Sequence, residues 1–293
     1  MSSPKSILVV VERTSDAPRL MSKVLLLAHA LGARLELFQC DAEQAYVLGH
    51  SYAREGVRAA QTAAVAEARR YLAGLRDLAV AQGVETAIDA ECDSPLYETV
   101  VRKVLRCGPD LVIKSIAAAD TGQHRLSDPN DWQLMRTCPA TLMLSGHRAW
   151  RAAARIAAAI DVSEGESDVL SRNVIEVAGA LAQALRAELH VAYGETGSAS
   201  PAAARSEKLR RLCDEAGIAP GRTHVLSGQP ERTLSAFFRE QGYDALVLGA
   251  LAHRTAGTTP VGTLTSTLLD ALDCDFVLVK PPSYHSPIDT VAR

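Results

Sequence analysis

Two successive series of short apolar runs, each alternating with helical patterns, constrain the fold of this chain more than any other feature of its sequence. The first series begins with SILVVVER (Ser6–Arg13) and ends with ATLMLS (Ala140–Ser145). The second begins with ARIAAAID (Ala154–Asp161) and ends with DFVLVK (Asp275–Lys280). Runs rich in Val, Ile and Leu are typical of parallel strands buried on both faces. Each series therefore predicts five strands and four helices.

Local matches between the two series indicate an internal duplication. CGPDLVIK (Cys107–Lys114) parallels QGYDALVLG (Gln241–Gly249), and RTCPATLMLS (Arg136–Ser145) parallels LDCDFVLVK (Leu272–Lys280). Strands that alternate with helices in this way form parallel sheets covered by helices on both faces. We therefore predict an α/β protein with two tandem, doubly wound, five-stranded parallel sheets of the Rossmann-like type.

The boundary between the repeats is predicted at the basic segment GHRAWRAAA, where the last strand of the first series has ended. The predicted domains are therefore residues 1–148 and 149–293. The longest predicted helix of the first domain is the Ala- and Arg-rich segment at about Tyr52–Ala81, whose composition favours helix.

Composition excludes several classes of protein. The chain of 293 residues is 47% apolar with a formal net charge of −3, so it lacks the basic face that a nucleic-acid partner requires. Its six cysteines are scattered and form no C-x-x-C pair, which argues against a thiolate zinc site or a disulfide framework. No apolar stretch approaches a signal peptide or the roughly 18 residues of a membrane span. We predict a cytoplasmic protein without a membrane span.

The stretch VLGALAHRTAGTTPVGTLTS (Val247–Ser266) connects the fourth strand of the second series with its last helix. Ligands of doubly wound sheets bind beyond the carboxyl ends of the strands, where the strand order reverses, and the first and fourth strands flank that point. Backbone N–H groups at a helix N-terminus attract phosphate, and Gly262 would allow close approach. Asp161, after the first strand, suits either a ligand or the N-cap of the next helix. These features alone leave a phosphate site and a plain Gly-rich connection equally open.

The spacing within this stretch resembles the universal stress protein family, whose ATP-binding members carry G-x2-G-x9-G-[ST] after the fourth strand. Here the pattern is Gly249-x2-Ala252-x9-Gly262-Thr263, and the family's acidic residue and second-strand His-Val are matched by Asp161 and His190-Val191. The resemblance implies ATP or another adenine nucleotide as ligand, together with Mg²⁺, and a pseudo-dimer of repeats within the chain or a homodimer. The candidate ligand-binding residues are Asp161, Val191, Gly249, Ala252, His253, Gly262, Thr263 and Thr265.

Two longer segments are similar to the tandem members of that family, of the bacterial E type. They are DPNDWQLMRTCPATLML (Asp128–Leu144) and CDFVLVKPPSYHSPID (Cys274–Asp289). The resemblance covers essentially the whole chain and respects the duplication.

The two repeats differ at the positions that the resemblance singles out. Lys114 stands where the second repeat has Gly249, and Glu12 stands where it has Asp161. The first repeat is therefore predicted to hold a degenerate site, which the lysine either fills or adapts to another use. In the second repeat Ala252 replaces a glycine and Pro260 removes a backbone donor, so the acceptance of phosphate is an open question.

Three hypotheses for function follow. The leading one is a stress-response regulatory protein that binds a nucleotide or related metabolite in the second repeat, because no nucleophile–base pair can be assembled from the sequence. The second is a slow ATPase or autophosphorylating protein that uses Thr263, Thr265 or Ser266. The third is a binder of lipid-like ligands through the first repeat. No catalytic residue and no metal ligand is assigned.

Overall fold

The computed structural model describes residues 4–13, 16–49, 54–116, 128–162, 168–195, 202–250 and 263–290. The predicted site residues Ala252, His253 and Gly262 lie outside them. The elements of the first repeat are β1 (Ser6–Val10), α1 (Ala17–Leu31), β2 (Arg34–Cys40), α2 (Ala42–Gly49), α3 (Arg54–Ala81), β3 (Thr86–Glu91), α4 (Leu96–Cys107), β4 (Leu111–Ser115), α5 (Pro129–Thr137) and β5 (Thr141–Ser145).

The elements of the second repeat follow the same plan. They are β6 (Arg155–Ala159), α6 (Asp168–Leu185), β7 (Glu188–Glu195), α7 (Ala202–Glu215), β8 (Thr223–Ser227), α8 (Pro230–Gln241), β9 (Ala245–Gly249), α9 (Thr263–Ala271) and β10 (Asp275–Val279).

The chain divides into two compact units. Within the described residues, the first unit comprises residues 4–115, 128–142 and 285–290, and the second comprises residue 116 and residues 143–284. The predicted boundary between residues 148 and 149 stays a prediction.

The strand order is the doubly wound one in both repeats. The first repeat has the order β3-β2-β1-β4-β5, and the second has β8-β7-β6-β9-β10. β1 pairs in parallel with β2 and β4, and β6 pairs in parallel with β7 and β9. The predicted α/β fold is thus confirmed, and the first and fourth strands of each repeat are neighbours. Their carboxyl ends form the point where the strand order reverses.

One helix of the first repeat was not expected from the sequence. The residues after β2 form α2, so the prediction of a single helix between the second and third strands is wrong. Asp41 begins this helix, because its carboxylate accepts a hydrogen bond from the backbone N–H of Gln44 at 3.1 Å. An aspartate is a common N-cap residue. The helix was not recognised in the sequence because the segment is short.

Two equivalent aspartates anchor the amino end of the first strand in each repeat. Asp110 accepts hydrogen bonds from the backbone N–H groups of Lys5 and Ser6, both at 2.9 Å. Asp244 accepts one from the backbone N–H of Arg155 at 2.8 Å and binds the guanidinium of Arg151. Although desolvation opposes ionisation, the hydrogen bonds hold the pKa of Asp110 below its ordinary value. The matching role of these residues supports the internal duplication.

A pair of stacked histidines lies between β7 and β8. Nδ1 of His190 and Nε2 of His224 are 2.9 Å apart, and the two rings are stacked with their centroids 5.2 Å apart. A hydrogen bond between two ring nitrogens contains only one proton, so His190 and His224 cannot both be positively charged while this contact is present. Burial is the largest cause that lowers the pKa of both residues below the ordinary value. The neighbouring charged and titratable groups are Glu188, Arg155, Arg222 and Tyr243.

We expect this pair to make the stability of the second unit depend on pH. Because both folded-state pKa values are lowered, the unfolded chain binds more protons below its histidine pKa of about 6.5. The free energy of unfolding should therefore be highest above that pH and fall as the pH decreases towards 5. Urea denaturation at several pH values measures this, and His224→Gln should flatten the dependence. An equally steep dependence in that variant would contradict the assignment.

Candidate functional site

Asp161 follows the carboxyl end of β6 at the point where the second repeat reverses its strand order. The backbone N–H of Ile160 donates to the carbonyl of Ala192 at 3.1 Å, so the residue just before Asp161 is still hydrogen-bonded to β7. Asp161 is exposed, and its carbonyl accepts a hydrogen bond from Oγ of Ser171 at 2.8 Å. Residues 163–167, which separate Asp161 from the described part of α6, lie outside the described residues, so the N-cap alternative for Asp161 stays a prediction. Asp161 follows β6 and thus lies at the carboxyl edge of the sheet.

The carboxyl end of β9 and the first turn of α9 meet beside this aspartate. Oγ1 of Thr265 donates to the carbonyl of Gly249 at 3.4 Å, and Thr265 is 5% exposed. A Cβ on Gly249 would lie 3.0 Å from Cδ2 of Leu170, so α6 packs closely against β9 at this glycine. The first backbone N–H groups of α9 have no partner within the helix and form its positive end. This edge of the sheet thus combines an exposed acid with a helix N-terminus.

The remaining predicted ligand residues lie in a strand, at the start of a helix or outside the described residues. Val191 lies inside β7, where it is fully buried and faces Ala158 and Thr223 in the neighbouring strands. It contributes to the core below the edge, and its role towards a ligand stays a prediction. Thr263 is the first residue of α9, while Ala252, His253 and Gly262 lie outside the described residues.

Sequence reasoning missed a polar group at the carboxyl end of β7. Tyr193 is 2% exposed. Beyond it in the same strand, the carboxylate of Glu195 accepts hydrogen bonds from Nη2 of Arg205 at 2.5 Å and from Oγ of Ser227 at 3.3 Å. A tyrosine within an apolar run suggests core packing, so the sequence offered no signal for it beyond its place at the end of a strand.

In the first repeat a buried ion network occupies the equivalent position. Nζ of Lys114 lies 2.6 Å from a carboxylate oxygen of Glu12 and 2.8 Å from one of Asp131. Asp128 lies farther away, at 3.9 Å. The side chains of Lys114 and Asp131 are each 3% exposed. Of the two sequence-based alternatives for Lys114, the geometry supports filling of the site.

The charges of this network are strongly coupled. Burial raises the pKa of Asp131 to about 6, although the ammonium of Lys114 opposes the increase. Desolvation disfavours the charged lysine, yet Asp131 and Glu12 outweigh it and raise the pKa of Lys114 above the ordinary value. The lysine is therefore charged at neutral pH. Sequence analysis did not single out Asp131, because an acid in the first turn of a helix usually needs no other explanation.

Two further properties concern only the described part of the chain. Within it, no three His, Cys, Asp or Glu side chains are grouped so that they could hold a metal ion. The helices that it contains are all too short or too polar to cross a membrane.

Comparison with known proteins gives consistent matches. Residues 153–280 match the model of the universal stress protein family. Universal stress protein E of Escherichia coli K12 is 23% identical in an alignment that covers 99% of this chain and 98% of that protein. The crystal structure of a universal stress protein from Pseudomonas aeruginosa UCBPP-PA14 superposes with a TM-score of 0.75 at 22% identity, covering 96% of this chain and 95% of that one. For one from Archaeoglobus fulgidus the TM-score is 0.68 at 14% identity, with 95% and 97% covered.

Proposed function

We propose that this chain is a universal stress protein with a regulatory role in the stress response and that its second repeat binds an adenine nucleotide, because the second repeat matches the model of that family and the whole chain aligns with universal stress protein E. The observation that carries the proposal is the difference between the two carboxyl edges. In the second repeat an exposed Asp161 lies at the same edge as the N-terminus of α9. In the first repeat Lys114 fills the equivalent place with its own ion pairs.

The edge in the second repeat suits the two ends of a nucleotide. Phosphate groups are attracted by backbone N–H groups at the start of a helix, and α9 begins next to Gly249. The acidic side chain of Asp161 follows the adjacent strand β6 and can accept hydrogen bonds from a ribose or a base. Mg²⁺ would accompany the phosphates, and its ligands would come mainly from phosphate oxygens and water. Binding would act by favouring one conformation or one partner, without turnover.

The first test is calorimetric titration of the full chain with ATP and Mg²⁺. We expect saturable binding of one nucleotide per chain, because in the first repeat the ion-paired Lys114 occupies the carboxyl end of the fourth strand. Asp161→Ala should weaken binding by about tenfold or more, since a hydrogen bond to a charged group contributes about 1.5–3 kcal/mol. Gly262→Val, which alters the proposed phosphate loop, should weaken binding as well.

The matched control is Asp214→Ala, which removes an acidic side chain of the same repeat that is 51% exposed and lies in α7, away from the edge. Its affinity for ATP should equal that of the parent. No saturable binding by the parent would refute the proposal. Two nucleotides per chain would refute the assignment of a filled first site.

A further inference from the structure

The phenol of Tyr193 is not explained by the packing of the fold. Its side chain is 2% exposed and its hydroxyl oxygen is buried. Among the residues that the structure describes, no group forms a hydrogen bond with this hydroxyl. A buried hydroxyl without a partner is unfavourable, whereas a phenylalanine would fill the same space without that cost. The hydroxyl group therefore lacks a hydrogen-bond partner in the part of the chain that the structure describes.

Tyr193 lies near the carboxyl end of β7, two residues before the last residue of the strand. The residue before it, Ala192, accepts the hydrogen bond from Ile160, so Tyr193 lies across from the segment that leads directly into Asp161. A Cβ on the next residue, Gly194, would meet Pro230 of α8, and alternation along the strand puts Tyr193 on the opposite face.

Three charged side chains near the carboxyl end of β7 act on the phenol of Tyr193. Asp161, Arg205 and Glu195 act on Tyr193, and all three lie at the carboxyl edge or in the helix that follows it. Burial is the largest cause that raises the pKa of Tyr193, and the negative charge of Asp161 raises it further. The hydroxyl is therefore neutral at physiological pH and can both donate and accept a hydrogen bond.

The strand order relates this hydroxyl to the proposed ligand. α9 begins beside β9, and the strands continue from β9 through β6 to β7. A nucleotide whose phosphates lie at α9 and whose sugar passes Asp161 extends towards Tyr193. We propose that the Tyr193 hydroxyl forms a hydrogen bond with the nucleoside part of the ligand and thereby selects nucleotides over inorganic polyphosphate. This inference rests on the proposed function.

The test compares ATP with inorganic tripolyphosphate by calorimetry on the full chain. Tyr193→Phe should raise the Kd for ATP by about 3- to 10-fold, the range for one lost hydrogen bond, and leave the Kd for tripolyphosphate unchanged. Because no described residue forms a hydrogen bond with the hydroxyl, the variant should be at least as resistant to urea as the parent. Lower affinity without lower stability distinguishes a ligand contact from a structural role.

The matched control is Tyr243→Phe. Tyr243 is also 2% exposed and its buried hydroxyl likewise has no hydrogen-bond partner among the described residues, but it precedes β9 at the amino end of the sheet. This variant should bind ATP like the parent. An ATP affinity that is unchanged by Tyr193→Phe, or lowered equally by both variants, would overturn the inference while leaving nucleotide binding intact. An equal loss for tripolyphosphate would also overturn it, and a parent that binds no ATP would refute the proposed function as well.

Discussion

Replacing Lys114 with Met is expected to lower the free energy of unfolding of the first unit by about 3–5 kcal/mol. The substitution keeps the volume of the side chain but leaves the carboxylates of Glu12 and Asp131 without their cation. Asp131 is 2% exposed, so its charge has little access to water. Breaking a buried pair by removing one partner costs more than the pair itself contributes, because the remaining charge stays buried.

Urea denaturation followed by circular dichroism measures this loss, and two further variants interpret it. Lys103→Met also removes a lysine that binds two carboxylates, but its partners Glu36 and Asp89 are 26% and 27% exposed. Water can solvate those partners, so the cost should be clearly smaller. The double variant Lys114→Met with Asp131→Leu should recover part of the loss. Equal losses for Lys114→Met and Lys103→Met would contradict a buried network.

Asp244→Ala is expected to destabilise the second unit by about 2–4 kcal/mol. The side chain of Asp244 is 1% exposed, and its carboxylate binds the backbone N–H of Arg155 and the guanidinium of Arg151. Truncation would remove the acceptor of the first N–H of β6 and the carboxylate that binds the guanidinium of Arg151. Both effects act on the strand that carries Asp161 at its other end.

The first repeat provides the matched control for this prediction. Asp110→Ala removes the equivalent carboxylate, but Asp110 is exposed, so water can replace it at the N–H groups of Lys5 and Ser6. Denaturation should therefore show a smaller loss for Asp110→Ala than for Asp244→Ala. A larger loss in the first repeat would show that burial does not determine the contribution of these aspartates.

The sequence predicted the fold well because the signals for it are local. The helix α4 shows such local signals, since Pro95 precedes it and Gly108, with a φ of 56°, ends it. Gly32 ends α1 in the same left-handed conformation. The helix α2 was not predicted because it has only eight residues, which are too few to show a clear helical periodicity of apolar residues beside the long Ala-rich helix that follows.

The candidate site was predictable only in part. The meeting of Asp161 and Gly249 follows from the strand order, which repeated strand–helix units imply. The roles of Asp131 and Tyr193 depend on burial and on partners that are distant in sequence, which no local pattern reveals. The predicted contributions of Ala252 and Gly262 remain predictions, because both residues lie outside the described part of the chain.

The ion network of Lys114 has a consequence for how a duplicated protein responds to a signal. The ammonium of Lys114 is covalently attached to the chain and cannot dissociate, so its ion pairs with Glu12 and Asp131 do not depend on the concentration of any ligand. If the second repeat binds nucleotide as proposed, saturation of the chain will be hyperbolic, with a Hill coefficient of one. The two repeats would then respond asymmetrically: the occupancy of the second repeat would change with the concentration of its ligand, and the first repeat would stay unchanged.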